Sequence, residues 1–158
     1  MHLWQWLYNL SLSAKLRDSF WAFPVIECIH IYSMFSLIGL FAAFDMRLMG
    51  FAISRKDRRP ISDLAKVVLR WVWIPIIVNT VTGLLIFTPN APNYSSNRAF
   101  QAKMLLILLG LVYHLPLILK ATQWSDGAEM PVRMKFISVF AILVWAGVII
   151  ASRWIAYS

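Results

Sequence analysis

The sequence predicts an all-α integral membrane protein, a four-helix bundle with an N-terminal interfacial helix. Three observations predict it. Hydrophobic residues make up 60% of the chain and charged residues only 14%, whereas a soluble domain carries about 25% charged residues. Four apolar stretches, near 20–46, 67–88, 102–120 and 135–156, approach or exceed the about 20 residues that a helix needs to cross hydrocarbon. Eight Trp and five Tyr supply the amphipathic rings that collect at the two lipid–water interfaces. A single four-span domain over 1–158 accounts for the chain, with no repeat of fixed period and no low-complexity tract.

The first element is the stretch 1–19, "MHLWQWLYNLSLSAKLRDS". Leu3, Leu7, Leu10 and Ala14 recur at helical spacing, and Lys15, Arg17 and Asp18 follow, as in a helix lying in the interface. Its basic residues come after the apolar part and no A-x-A site appears, so it reads poorly as a signal peptide. The first span carries Glu27, Cys28 and His30. Cys28 is the only cysteine and has no internal disulfide partner, so it is expected to be a small packing residue. The second span adds Asn79, Thr80 and Thr82. "TPNAPNYSSN" has the Pro and Asn content of a loop. The third span contains His114, and the fourth has Arg153 near its end.

Basic residues set the expected orientation. Arg47, Arg55, Lys56, Arg58, Arg59 and Lys66 fall in the first connection, and Lys120, Arg133 and Lys135 flank the third. The second holds only Arg98 and Lys103. Positive residues stay inside, so both termini are expected on the periplasmic side of a bacterial inner membrane, with residues 55–59 in the cytoplasm. This topology also accounts for the net charge of +8, leaving no role for nucleic acid.

Ionisable groups at membrane depth are functional candidates by default. Glu27 and His30 are three residues apart and share a helix face. His30 lies about 15 Å below Phe20 on an ideal helix, and His114 about 18 Å below Ala102. The two imidazoles are therefore expected at one depth, on spans that run in the same direction. Gly110, one turn before His114, removes a side chain where a flat ligand would approach. The expected cofactor is haem b, with His30 and His114 as its axial metal ligands between spans 1 and 3. Glu27 would sit near the haem edge. Arg153, leaning into the membrane from the fourth span, would grip a propionate or pair with Glu27; Lys103 is a weaker propionate candidate. A di-iron site would need a second Glu-x-x-His and further Glu residues, and zinc would want Cys or more His. His2 is given no role.

Pro24, Glu27, His30, Gly39, Asp45, Arg47, Leu48 and Gly50 form a Pro-x-x-Glu-x-x-His start, a mid-helix Gly and an Asp-x-Arg-Leu-x-Gly end. This pattern resembles the first span of an uncharacterised family of small bacterial membrane proteins, a domain of unknown function. "TGLLIF", "YSSNRAFQAKMLLIL" and "SRWIAY" look like the remaining signatures of the same family. The resemblance implies the four-span fold and singles out Tyr94, Asn97, Phe100, Lys103 and Arg153 beside Glu27 and His30. It implies no established activity. A looser similarity of layout links the chain to four-helix b-type cytochromes by analogy.

No nucleophile elbow, phosphate loop or paired carboxylate is present, so hydrolytic chemistry is not indicated. Iron with both axial positions filled passes electrons. The expected function is thus a membrane b-type cytochrome, an electron-transfer protein or subunit of a redox complex. Its expected partners are the lipid bilayer, other membrane or periplasmic redox subunits, and quinone. The alternative is a non-catalytic structural or accessory transmembrane subunit, in which the histidines serve helix packing.

Overall fold

The computed structural model describes residues 2–51, 60–124 and 132–157. Among them there is helix and no strand. Four helical stretches are long and apolar enough to cross a membrane: Ala22–Leu48, Ile61–Ser96, Arg98–Ala121 and Val132–Trp154. The protein is a multi-pass membrane protein. The basic residues 55–59, on which the expected orientation leans, lie outside the described residues.

The amino-terminal stretch is two short helices rather than one, α1 (His2–Tyr8) and α2 (Ser11–Asp18). The break falls at Asn9 and Leu10. Asn is a poor interior residue because its side chain competes for backbone hydrogen bonds, and Leu10 is extended, with ψ 141°. Arg17 holds the two pieces together by donating to the Tyr8 carbonyl at 2.9 Å and the Ser13 hydroxyl at 3.0 Å.

Helix α3 (Ala22–Leu48) is continuous for 27 residues, about 40 Å. Pro24 is accommodated in its first turn, where no intrahelical N–H is needed. The helix stops at Gly50, whose φ of +93° favours glycine. The Gly50 N–H donates to the Arg47 carbonyl and the Phe51 N–H to the Met46 carbonyl, at 3.1 and 3.0 Å. This is a Schellman stop, and it explains the Gly at the end of the Asp-x-Arg-Leu-x-Gly pattern.

The second span begins earlier than its hydropathy suggests. It consists of α4 (Ile61–Trp71) and α5 (Trp73–Phe87). Pro75 has no N–H to offer the Trp71 carbonyl four residues back, so α4 ends there. The stretch expected as a loop is helical instead: a 3-10 turn over Thr88–Asn90 leads into α6 (Ala91–Ser96). Its prolines fall at first-turn positions, where they fit a helix start. Asn97 then caps α7 (Arg98–Ala121), its side-chain oxygen accepting from the Ala99 and Phe100 N–H groups at 2.8 and 3.1 Å. Helix α8 (Val132–Trp154) completes the bundle.

Helix α3 packs on α5, α8 and α4, and α7 packs on α8 and α4. In the second span, α4 touches both α7 and α3, and α5 touches α3. The side where α3 begins, together with α1, α2 and α6, forms the amino-terminal rim. Many of the most buried side chains gather toward the opposite rim: Phe41, Phe44, Leu48, Ala65, Val68, Ile118 and Ala121. Large apolar side chains such as Phe35, Ile77, Leu108 and Phe140 are exposed on the perimeter, as suits a lipid-facing surface.

Candidate functional site: two polar ties between the spans

His114 sits at the centre of the packed half and is 0% exposed. Its Nδ1 lies 2.9 Å from the Gly110 carbonyl, one turn back on α7. A carbonyl oxygen only accepts, so Nδ1 carries a proton and donates. Its Nε2 lies 2.9 Å from Asp45 Oδ2 on α3, which is also fully buried. Nε2 and Oδ2 share one further proton, either as imidazolium with carboxylate or as imidazole with carboxylic acid. Both forms leave the pair neutral overall, which is what a low-dielectric interior tolerates. The Trp145 indole N–H reaches His114 Nδ1 at 3.4 Å. It is not counted as a bond, because Nδ1 already donates along the shorter contact. Phe41 stacks on the imidazole with centroids 4.2 Å apart, and Trp145 lies 5.3 Å from Phe41.

Gly110 is the reason that Trp145 fits. A Cβ at this position would lie 2.8 Å from Trp145 Cζ2 and 3.0 Å from Cε2. The flat group that Gly110 admits is thus an indole of the chain itself, in the place where a haem was expected.

His30 makes a different tie. Its Nδ1 is 2.9 Å from Thr82 Oγ1 on α5. Thr82 directs its own proton to the Val78 carbonyl at 2.6 Å, so His30 Nδ1–H is the donor and the ring is the Nδ1–H tautomer. Its Nε2 makes no hydrogen bond among the described residues. One turn along, the Ser33 hydroxyl donates to the Pro75 carbonyl at 2.9 Å and accepts from Asn79 Nδ2 at 2.8 Å. His30, Ser33, Asn79 and Thr82 form a polar ladder along the α3–α5 seam. Gly83 gives the ring its place: a Cβ there would lie 3.3 Å from His30 Cε1.

The two histidines are not brought together. His114 lies at the level of Asp45, fifteen residues beyond His30 on α3, or about 22 Å along the helix. The expectation of equal depth rested on span starts counted from hydropathy, and the helices begin elsewhere. A bis-histidine haem needs two free imidazole nitrogens facing across one iron. Here both His114 nitrogens are engaged, and His30 lies about 22 Å away along α3. The residues present do not fit that haem in this arrangement. Among the described residues no group of three His, Cys, Asp or Glu is placed to hold a metal ion.

The remaining expected site residues are also apart. Glu27 is exposed, and no hydrogen bond or ion pair reaches it among the described residues. Arg153 is exposed and donates to the Tyr157 hydroxyl at 2.7 Å, with its guanidinium 5.1 Å from that ring. The expected Glu27–Arg153 pair is absent among the described residues, where the carboxylate contacts with cations are Lys66–Asp63 and His114–Asp45. Cys28 is exposed rather than packed. Lys103 is half-buried, close enough to His30 to act on it electrostatically. Tyr94 and Phe100 stack with Phe87, at 5.7 Å for Tyr94–Phe100 and 5.3 Å for Phe87–Phe100, fastening α5, α6 and α7 at the amino-terminal rim.

The site residues missed from the sequence are Asp45, Trp145, Ser33 and Gly83. In the sequence Asp45 stands out only as part of the Asp-x-Arg-Leu-x-Gly pattern, and Trp145 only as one of eight Trp. The available signal was a Trp in the middle of a span, too far from either end to reach an interface.

No curated protein and no solved structure matches the chain. A family of unknown function, DUF6644, matches residues 15–158, a range that takes in all four spans and both polar ties. The chain therefore belongs to the family of unknown function DUF6644.

Proposed function

We propose that this chain is a structural or accessory subunit of a larger assembly in a bacterial inner membrane, and that its histidines hold helices in register. One observation carries the reading: His114 has both ring nitrogens bonded within the bundle, to Gly110 and Asp45. Such interhelical bonds are a recognised use of polar residues in membranes. Exposed Glu27 supports the subunit part. An intramembrane carboxylate without an internal partner is costly in lipid and is relieved by a cation on a neighbouring chain. The termini are periplasmic in this reading, because Lys and Arg concentrate in the first and third connections.

The test is an optical spectrum and a size measurement on protein purified in mild detergent. The expected protein is colourless and migrates in an assembly larger than one chain, which Glu27→Gln weakens. His30→Ala and His114→Ala are expected to lower thermal stability without a change of spectrum. A low-spin haem spectrum that disappears in both histidine variants would restore the electron-transfer reading. A colourless monomer would leave the histidine ties in place and remove the subunit role.

A further inference from the structure

Glu27 on α3 and Arg98 on α7 are both exposed, and among the described residues no hydrogen bond or ion pair reaches either side chain. Their depths agree. Asp45 and His114 touch at 2.9 Å and fix one level of α3 and α7. Glu27 stands about 27 Å from Asp45 along α3 toward the amino-terminal rim, and Arg98 about 24 Å from His114 along α7 in the same direction. Helix α5 ties the two helices a second time. A Cβ on Gly83 would lie 3.3 Å from His30, and Phe87, one turn on, stacks with Phe100 at 5.3 Å. His30 and Phe100 are each within a turn of the charge on their own helix. Arg153 is deeper. It follows Trp145, which packs on Gly110, by about 12 Å along α8, and so lies about 9 Å below Glu27. Its guanidinium is also engaged with Tyr157.

We propose that a second copy of this chain docks beside the first, with Glu27 of each copy paired to Arg98 of its neighbour. The inference rests on the subunit reading above and names the neighbouring cation. The bilayer supplies the constraint. Copies inserted in the same way share one orientation, so a closed assembly has its symmetry axis along the membrane normal. Rotation about that axis leaves depth unchanged, and only groups at one depth meet. Glu27 and Arg98 meet this condition and carry opposite charges. In a two-fold pair the contact forms twice, and in a larger ring once at each interface.

The surfaces below the two charges suit such a contact. Leu105, Leu109 and Val112 share the exposed face of α7 that Arg98 heads. Ile31 and Phe35 are exposed on the turns of α3 that follow Glu27. Apolar faces alone choose no partner, because lipid covers them as well as a helix does. The charges make the choice. A phosphate headgroup would take Arg98 and repel Glu27. A second copy satisfies both, and an arginine–carboxylate contact adds the geometric specificity of paired hydrogen bonds.

The test co-expresses two differently tagged forms of the full chain and measures capture of one by the other in mild detergent. Wild-type copies are expected to capture each other. Glu27→Arg sets two cations face to face, and Arg98→Glu sets two carboxylates. Each variant is expected to associate with itself about tenfold more weakly or worse. Co-expressed with each other, the two variants are expected to associate as the wild type does, and so is the double variant Glu27→Arg/Arg98→Glu with itself. That rescue excludes misfolding as the cause of the losses. Loss without rescue, or an Arg98→Glu chain that associates with itself like the parent, overturns the proposal. An assembly with a different chain that Glu27→Gln still weakens rejects the second copy and keeps the subunit reading. A chain that stays monomeric removes both.

Discussion

At the scale of single residues, two glycines on spanning helices make opposite predictions. A Cβ on Gly110 meets the Trp145 ring at 2.8 Å, and that ring is 2% exposed with nowhere to move. Overpacking of this kind costs about 1–3 kcal/mol, so Gly110→Ala is expected to destabilise by that amount in a micelle unfolding titration. Gly39 has nothing within 4 Å of its Cβ position. Gly39→Ala is expected to gain about 0.5–1 kcal/mol through helix propensity, and it serves as the control. Residue-level reading of the sequence placed Gly110 and His114 on one face but gave them the wrong partners. Gly110, His114 and Ile118 do share a buried face. Helical periodicity shows which residues point the same way. It does not show which neighbouring helix they meet, because that depends on tilt and on where each helix starts.

At the scale of elements, the two polar ties differ in strength. The α3–α5 ladder joins neutral groups, and interhelical bonds of that type average about 0.6 kcal/mol and reach about 1.7 kcal/mol. Ser33→Ala is expected to fall in that range. The α3–α7 tie is a buried acid–base pair, and removal of one member leaves the other uncompensated at a cost of about 3–5 kcal/mol. His114→Ala is therefore expected to be the more damaging variant, and Asp45→Asn/His114→Gln milder than His114→Ala alone. Equal losses in Ser33→Ala and His114→Ala would argue against a charged or proton-sharing pair. All four spans were legible from hydropathy, since each is a sustained apolar run. The split of the second span was less so. Val67 marked its apolar start, but the amphipathic turns from Ile61 are half polar and fall below a hydropathy threshold, although they bury Ala65 and Val68 and α4 packs on α7 and α3.

At the scale of the whole molecule, orientation is the testable property. A cysteine placed among residues 52–59, in a Cys28→Ser background, is expected to resist a membrane-impermeant thiol reagent applied to intact cells and to react once the membrane is opened. Labelling in intact cells would invert the topology. The charge that drives this expectation was plain in the sequence. The uneven packing was not, because each span is similarly apolar along its length while burial is concentrated toward one rim. Only the contacts among α3, α4, α7 and α8 reveal it.

The order of synthesis gives the Asp45–His114 pair one more consequence. Its members are 69 residues apart, and at elongation rates of about 5–20 residues per second His114 is made about 3–14 s after Asp45. For that interval a carboxylate destined for a dry interior has no imidazole to receive it. The first two spans, already pairing along their own seam, must wait in the insertion machinery or hold Asp45 at the headgroups. Arrival of the third span is then the event that lets the nascent chain close.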